Sequence, residues 1–177
     1  MMRLGAIIAG GQSRRFGSDK GAAILGGKCL IDHVVDGLLS QVDEIVICGR
    51  EWPGIATVAD RPNAAMGPLG GLCGALHFAE ANGFEMVLTA GCDVLPVADL
   101  SADAAPPYVI TGHYLFGVWP ARMAPMLDAH LADQNDHSVR HWIATSGASE
   151  RRSPQHFHNL NTAADFLLYR QSLGLAA

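Results

Sequence analysis

The chain opens Leu4-Gly5-Ala6-Ile7-Ile8-Ala9-Gly10-Gly11-Gln12-Ser13-Arg14-Arg15-Phe16-Gly17-Ser18-Asp19-Lys20, and this stretch decides the fold. The apolar run Ala6 to Ala9 reads as a buried strand. It stops at two adjacent glycines, and three basic residues, Arg14, Arg15 and Lys20, fall within the next positions. Glycine lets a backbone approach a ligand without an intervening side chain. Successive N–H groups in such a turn form an anion nest, and the basic side chains supply charge for a polyphosphate. The loop therefore reads as a site for a nucleoside triphosphate. The plainer alternative is a strand-to-helix turn that uses glycine for shape and arginine for solubility.

Two well-known phosphate loops are excluded. A dinucleotide fingerprint needs G-x-G-x-x-G, whereas here Gly10 and Gly11 are adjacent and the next glycine is Gly17. A Walker A loop needs G-x-x-x-x-G-K-[ST]. Its nearest approach, Gly26-Gly27-Lys28-Cys29, has Ala22 for the first glycine and Cys29 for the hydroxyl.

The remaining composition narrows the class. A length of 177 residues fits one domain spanning 1–177 with a sizeable core. With 49% apolar and 16% charged residues, the chain has the composition of a folded globular protein. A net charge of −5 argues against nucleic acid as a partner and makes the basic cluster at 14–20 stand out as a local anion site. Cys29, Cys48, Cys73 and Cys92 form no C-x-x-C pair, and buried, reduced thiols of a cytoplasmic protein are expected. No run of 18 apolar residues predicts a membrane span, and a cleaved leader is not expected because it would remove the glycine loop.

Strands are predicted at 4–9, 44–48, 55–59, 86–90, 108–111 and 115–119. Helices are predicted at 30–41, 69–82, 122–132, 139–145 and 163–173. Leu30, Val34, Val35, Leu38 and Leu39 fall at helical spacing and are expected to face a sheet. Wholly apolar strands separated by helices predict a mostly parallel sheet covered on both faces. Ligands in such folds bind beyond the carboxyl ends of the strands, so the Gly10 loop, Gly49, Asp60 and Asp93 are expected along one edge. The segments 101–107 and 147–154 read as a loop and a polar exposed stretch.

Three further segments add chemistry. Asp60-Arg61-Pro62 precedes Gly67-Pro68-Leu69-Gly70-Gly71, a helix start suited to an anion or to plain initiation with Pro68 in the first turn. Met86-Val87-Leu88-Thr89-Ala90-Gly91-Cys92-Asp93 is an apolar strand ending in an acid that suits Mg²⁺, or that merely caps a turn. Asn159-Leu160-Asn161-Thr162 precedes the last helix, where Thr162 or Asn161 fits an N-cap with Asp165 in the first turn.

Taken together, these segments resemble the molybdenum cofactor guanylyltransferases, a branch of the nucleotidyltransferases. The matches are 8–20, Gly67-Pro68-Leu69-Gly70-Gly71, Cys92-Asp93 and 159–162, in the family's order and over nearly the whole chain. The G-P-L-G-G segment favours the guanylyl branch over the cytidylyl one. The resemblance implies a three-layer α/β/α Rossmann-like nucleotidyltransferase fold with a mostly parallel central sheet. It implies GTP contacts from Ile8, Ala9, Gly10, Gly11, Ser13, Lys20, Cys48, Asp60, Gly70 and Asp93. Arg15, Lys20 and Asp93 would be catalytic, with Asp93 holding Mg²⁺, and Arg140, Asn159 and Asn161 would lie on the pterin side. The implied reaction transfers GMP to molybdopterin or the molybdenum cofactor in the cytoplasm, with cofactor-delivery and molybdoenzyme-maturation proteins as further partners.

The chain departs from the family pattern at four places. Cys48 stands where an Asn is common, Phe16 replaces Met, Ala163 replaces the proline of N-T-P, and the C-D-x-P motif is stretched to Cys92-Asp93-Val94-Leu95-Pro96. Rival readings are a cytidylyltransferase, a sugar-phosphate nucleotidyltransferase and a nucleotide-binding module without catalysis. A metal hydrolase built on His137 and His141 or His156 and His158 is disfavoured: no H-E-x-x-H is present, and Trp142 places His141 on a packing helix.

Overall fold

The computed structural model describes residues 1–10, 19–63, 66–101, 105–133 and 136–175. In chain order the strands and helices are β1 (Arg3–Ile8), β2 (Ile24–Leu25), β3 (Lys28–Cys29), α1 (Leu30–Leu39), β4 (Glu44–Cys48), β5 (Ala56–Val58), α2 (Gly67–Ala81), β6 (Met86–Gly91) and β7 (Val94–Leu95). They continue with β8 (Tyr108–Ile110), β9 (His113–Pro120), α3 (Ala124–Ala132), α4 (Val139–Ser146), β10 (Ser149–Arg151), β11 (His158–Asn159) and α5 (Ala163–Ser172).

Seven strands form one sheet in the order β10-β8-β9-β6-β1-β4-β5. β6, β1, β4 and β5 run parallel, and β9 is antiparallel to both β6 and β8. The mostly parallel α/β architecture expected from the alternating apolar runs is thus present. Along β1 the side chains alternate between two cores, as a two-residue period requires. Leu4, Ala6 and Ile8 pack with α2, α3 and α4, while Ile7 and Ala9 pack with α1 and α5. Helix α1 buries Leu30, Ile31, Val34 and Leu38, each such side chain contributing roughly 1.5–3 kcal/mol, whereas Leu39, expected on the same face, is exposed at the end of the helix. Gly74 of α2 faces the β5 end so closely that a Cβ there would lie 2.2 Å from the Ala59 carbonyl oxygen.

Three expectations need correction. The 147–154 stretch contains the edge strand β10, whose Ser149 pairs in parallel register with Tyr108. It escapes a hydrophobic pattern because Ser149 and Glu150 remain exposed at the sheet edge. Strand β9 begins at His113, earlier than its apolar run, because a turn with Gly112 at φ 80° returns the chain beside β8. Cys48 and Cys73 are buried, but Cys29 and Cys92 are only half-buried; all four are free thiols. The N-cap expectation for the last helix holds: Thr162 and Asp165 exchange capping-box hydrogen bonds. Among the described residues, no helix is long and apolar enough to cross a membrane.

Candidate active site

Register sets the site. Gly91, Ile8, Cys48 and Val58 lie in one row across β6, β1, β4 and β5. The residues just beyond that row therefore gather on one edge: Asp93, Gly10, Gly49 with Arg50, and Asp60. Two polar corners result.

The first corner centres on Lys20. A 3-10 turn, Lys20–Ala22, is capped by Asp19, which accepts from the Gly21 N–H at 3.1 Å. The turn directs the Lys20 ammonium to Asp93 Oδ2 at 3.0 Å and to Asn161 Oδ1 at 3.2 Å. Lys20 is only 7% exposed, and with Thr89 it is one of two buried polar residues among those described. Asp93 keeps a solvent-facing part, with its side chain 30% exposed. The Leu160 N–H donates to the Asp93 carbonyl, and β11 pairs with β7, so the Asn159–Asn161 segment is tied to the segment after β6. A Cβ on Gly91 would stand 2.8 Å from Asp93 Oδ1, so a side chain there would push the carboxylate from its place.

A cavity of about 190 Å³ opens beside this corner, lined by Asp93, Asn159, Asn161, His113, Tyr114 and Phe116, among others. Part of its lining is aromatic, from His113, Tyr114 and Phe116, and Phe157 packs on His113 at 4.7 Å and on Phe116 at 5.3 Å between ring centroids. A flat apolar body with a polar edge suits such a wall.

The second corner centres on Asp60. Gly10 and Gly49 pack backbone to backbone, and a Cβ on Gly49 would lie 2.6 Å from Gly10 Cα. Gly49 also holds φ 80°, a conformation that L side chains rarely adopt. This pair lets the Asp60 carboxylate lie over the end of β1, with Oδ2 3.3 Å from where a Gly10 Cβ would be. Gly70 and Gly71 of α2 close the other side at Asp60 and Cys48. Asp60 Oδ1 is buried without a hydrogen-bond partner among the described residues, and burial raises its carboxyl above the ordinary range.

The expected site residues therefore divide. Lys20, Asp93 and Asn161 are in direct contact, and Asn159 lines the adjoining cavity. Gly10, Asp60 and Gly70 build the second corner with the ends of Ile8 and Ala9, whose side chains are buried. The Cys48 carbonyl accepts from the Ala9 N–H, but its thiol is fully buried and pushed up to about 12 by desolvation and by the Asp60 charge. Cys48 thus offers structure here, not a side-chain contact to a ligand. Arg140 lies on the first turn of α4 and is exposed; its guanidinium stacks on the ring of the cavity-lining Tyr114 at 5.4 Å, and Arg140 itself does not line the cavity. Gly11, Ser13 and Arg15 lie outside the described residues.

One residue was not anticipated. Arg50 grips Asp19 with two hydrogen bonds, at 2.7 and 2.6 Å, and lies over the Trp52 ring. This hydrogen bonding holds the Asp19 carboxyl below the ordinary range. Arg50 thereby fastens the turn that carries Lys20 to the end of β4. Its position directly after a strand end was the available signal.

The oxygen donors of Asp93 and Asn161 suit a hard cation, which takes few protein carboxylates and completes its shell with phosphate and water. Asp93 Oδ2 and Asn161 Oδ1 both accept from the Lys20 ammonium, so Asp93 Oδ1 is the carboxylate oxygen outside that contact that such a cation would take.

Comparison with known proteins agrees with this architecture. Residues 5–153 match the family model of the MobA-like NTP transferase domain. The chain is 33% identical to a molybdenum cofactor guanylyltransferase of Cereibacter sphaeroides (strain ATCC 17029 / ATH 2.4.9), over 93% of this chain and 94% of that one. It is 32% identical to the molybdenum cofactor guanylyltransferase of Acidiphilium cryptum (strain JF-5), over 90% and 89%. Its fold is similar to the crystal structure of molybdopterin-guanine dinucleotide biosynthesis protein A from Archaeoglobus fulgidus. That match has a TM-score of 0.68 at 16% identity and covers 98% of this chain and 99% of the other. The chain is a nucleotidyltransferase and belongs to the MobA-like NTP transferase family, among relatives that are molybdenum cofactor guanylyltransferases.

Proposed function

We propose that the chain transfers GMP from GTP to the terminal phosphate of molybdopterin, or of its molybdenum-loaded form. The observation that carries this reading is the Lys20–Asp93–Asn161 contact. It joins three distant motifs at the carboxyl edge of the sheet, beside an aromatic cavity.

In the proposed step an acceptor phosphate oxygen attacks the α-phosphorus of GTP. The bond from that phosphorus to the bridging oxygen breaks, and its electron pair leaves on pyrophosphate. A phosphate monoester is largely ionised near neutral pH, so the protein need not supply a general base. Its work is positioning and charge compensation. Lys20 provides a buried positive charge for the triphosphate. Asp93, with Asn161 beside it, would hold Mg²⁺, which supplies charge neutralisation on the phosphate oxygens. Asp60 offers a carboxylate at this corner, one oxygen of which has no hydrogen-bond partner among the described residues. The adjacent N–H donors of guanine match a carboxylate edge better than cytosine, which presents one amine beside an acceptor. The aromatic cavity accommodates the pterin.

Pyrophosphate release measured with Mg²⁺, molybdopterin and either GTP or CTP tests the proposal. Release with GTP supports it. Release with CTP alone moves the activity to the cytidylyl branch, and release with neither removes this acceptor.

A further inference from the structure

On α2, Cys73 and His77 stand four residues apart and so project from one side of the helix. Asp128 of α3 meets both. The Cys73 thiol donates to Asp128 Oδ1 at 3.2 Å, and His77 Nε2 lies 2.8 Å from Asp128 Oδ2. One ligand atom from each residue falls within 4.8 Å of the others. This is the only group of three or more His, Cys, Asp or Glu side chains so arranged among the described residues. It shares no residue with the site above.

We propose that Cys73, His77 and Asp128 form a binding site for a borderline-soft divalent cation of the zinc type. Sulfur, imidazole nitrogen and carboxylate oxygen are the three donor classes such ions accept. With bonds of about 2.0–2.3 Å, tetrahedral donors stand roughly 3.5 Å apart. The observed separations bracket that value and need only small side-chain shifts. The thiol is buried at 0% exposure, while the His77 and Asp128 side chains are 27% and 43% exposed. One side of the group therefore faces solvent, leaving a fourth position for water. Binding breaks the Cys73 S–H bond, sends the proton to solvent and forms a sulfur–metal bond. Thiolate and carboxylate together then balance the ion's two charges. Arg61, whose charge acts on both Cys73 and Asp128 and whose side chain hydrogen-bonds Cys73, is exposed and would give up that contact when the ion binds. The ion would replace a pair of hydrogen bonds between α2 and α3 with metal bonds.

The test uses the full-length, reduced, chelator-treated protein titrated with Co²⁺ in the absence of nucleotide. A sulfur-to-cobalt charge-transfer band, visible ligand-field bands of a tetrahedral ion, and loss of both on adding Zn²⁺ are expected. The charge-transfer band should vanish in Cys73→Ala. The tetrahedral bands should weaken or vanish in His77→Gln, a half-exposed position whose replacement leaves the core intact. Zn²⁺ should also raise the melting temperature of the wild type and not of His77→Gln. Absence of the charge-transfer band in the wild type would overturn the proposal, as would its persistence in Cys73→Ala or unchanged spectra in His77→Gln. Pyrophosphate release by His77→Gln, measured separately, reports on the transferase reading alone.

Discussion

The two corners of the site are built on opposite principles. At the Lys20 corner the charges face partners: a buried ammonium lies between a carboxylate and an amide oxygen, and the two terminal nitrogens of Arg50 grip Asp19 to lock the turn beneath it, with the Arg50 Nε buried and unpartnered among the described residues. At the Asp60 corner a carboxylate is pressed against glycine backbone with one oxygen unpartnered among the described residues. The first corner is stable before substrate arrives. The second bears an electrostatic cost that a ligand donor would offset. The contrast separates residues that position charge from a residue held ready for recognition.

Substitutions at the first corner should abolish turnover with little loss of ligand shape. Asp93→Ala is expected to lower pyrophosphate release on the order of 100-fold or more, with an unchanged far-ultraviolet circular dichroism spectrum. Wild-type turnover in that variant would remove Asp93 from the chemistry. Asp60→Asn should act oppositely on two readouts. Guanine nucleotide affinity should fall about 10- to 100-fold, the worth of a hydrogen bond to a charged group. The free protein should melt at a higher temperature near neutral pH, because the amide carries no desolvation penalty.

The sign follows from the raised carboxyl. In the folded protein Asp60 keeps its proton to higher pH than in the unfolded chain, so its contribution to stability is present at low pH. That contribution is lost as pH rises through the folded value. Nucleotide affinity should show the reverse, weakening as the pH is lowered and Asp60 protonates, and the Asn variant should lose that pH dependence. Calorimetric titration across mildly acid pH reads both.

Gly49→Ala should cost about 1–3 kcal/mol in denaturant unfolding, since it forces a Cβ onto Gly10 at a left-handed backbone angle. An equally stable variant would show that the Gly10–Gly49 contact is not needed to shape the Asp60 corner. Arg50→Ala should have the smallest effect, about fivefold or less in nucleotide affinity, because its ion pair with Asp19 is partly exposed. Arg50→Lys should not fully restore it, since an ammonium cannot make the two parallel bonds.

Sequence reading reached different depths at the two corners. Asp60 and Asp93 were legible because each follows a strand, and parallel strands in register bring their ends together. Asn161 was legible only through its motif, since its approach to Lys20 depends on the two-residue pair of β7 and β11, too short to leave a pattern. Arg50 carried little signal of its own, because its partner Asp19 is distant in sequence and lies within another motif. Strand β9, apolar nearly throughout from Leu115 to Trp119, gave no sign of its direction, because burial on both faces erases the alternation that would mark it. Edge strand β10 was hidden by its solvent-facing polar residues. The Cys48 thiol is fully buried, which leaves only backbone to offer at that strand end, and a strand-end position in the sequence does not reveal such burial.

The most direct test of the account is release of pyrophosphate from GTP by the wild type with Mg²⁺ and molybdopterin, beside Asp60→Asn and Asp93→Ala. The account predicts GTP-dependent release that falls on the order of 100-fold or more in Asp93→Ala. In Asp60→Asn it should be recovered by raising the GTP concentration. Equal release from GTP and CTP by the wild type, or a loss in Asp60→Asn that saturating GTP does not restore, would contradict the division of charge and recognition between the two corners.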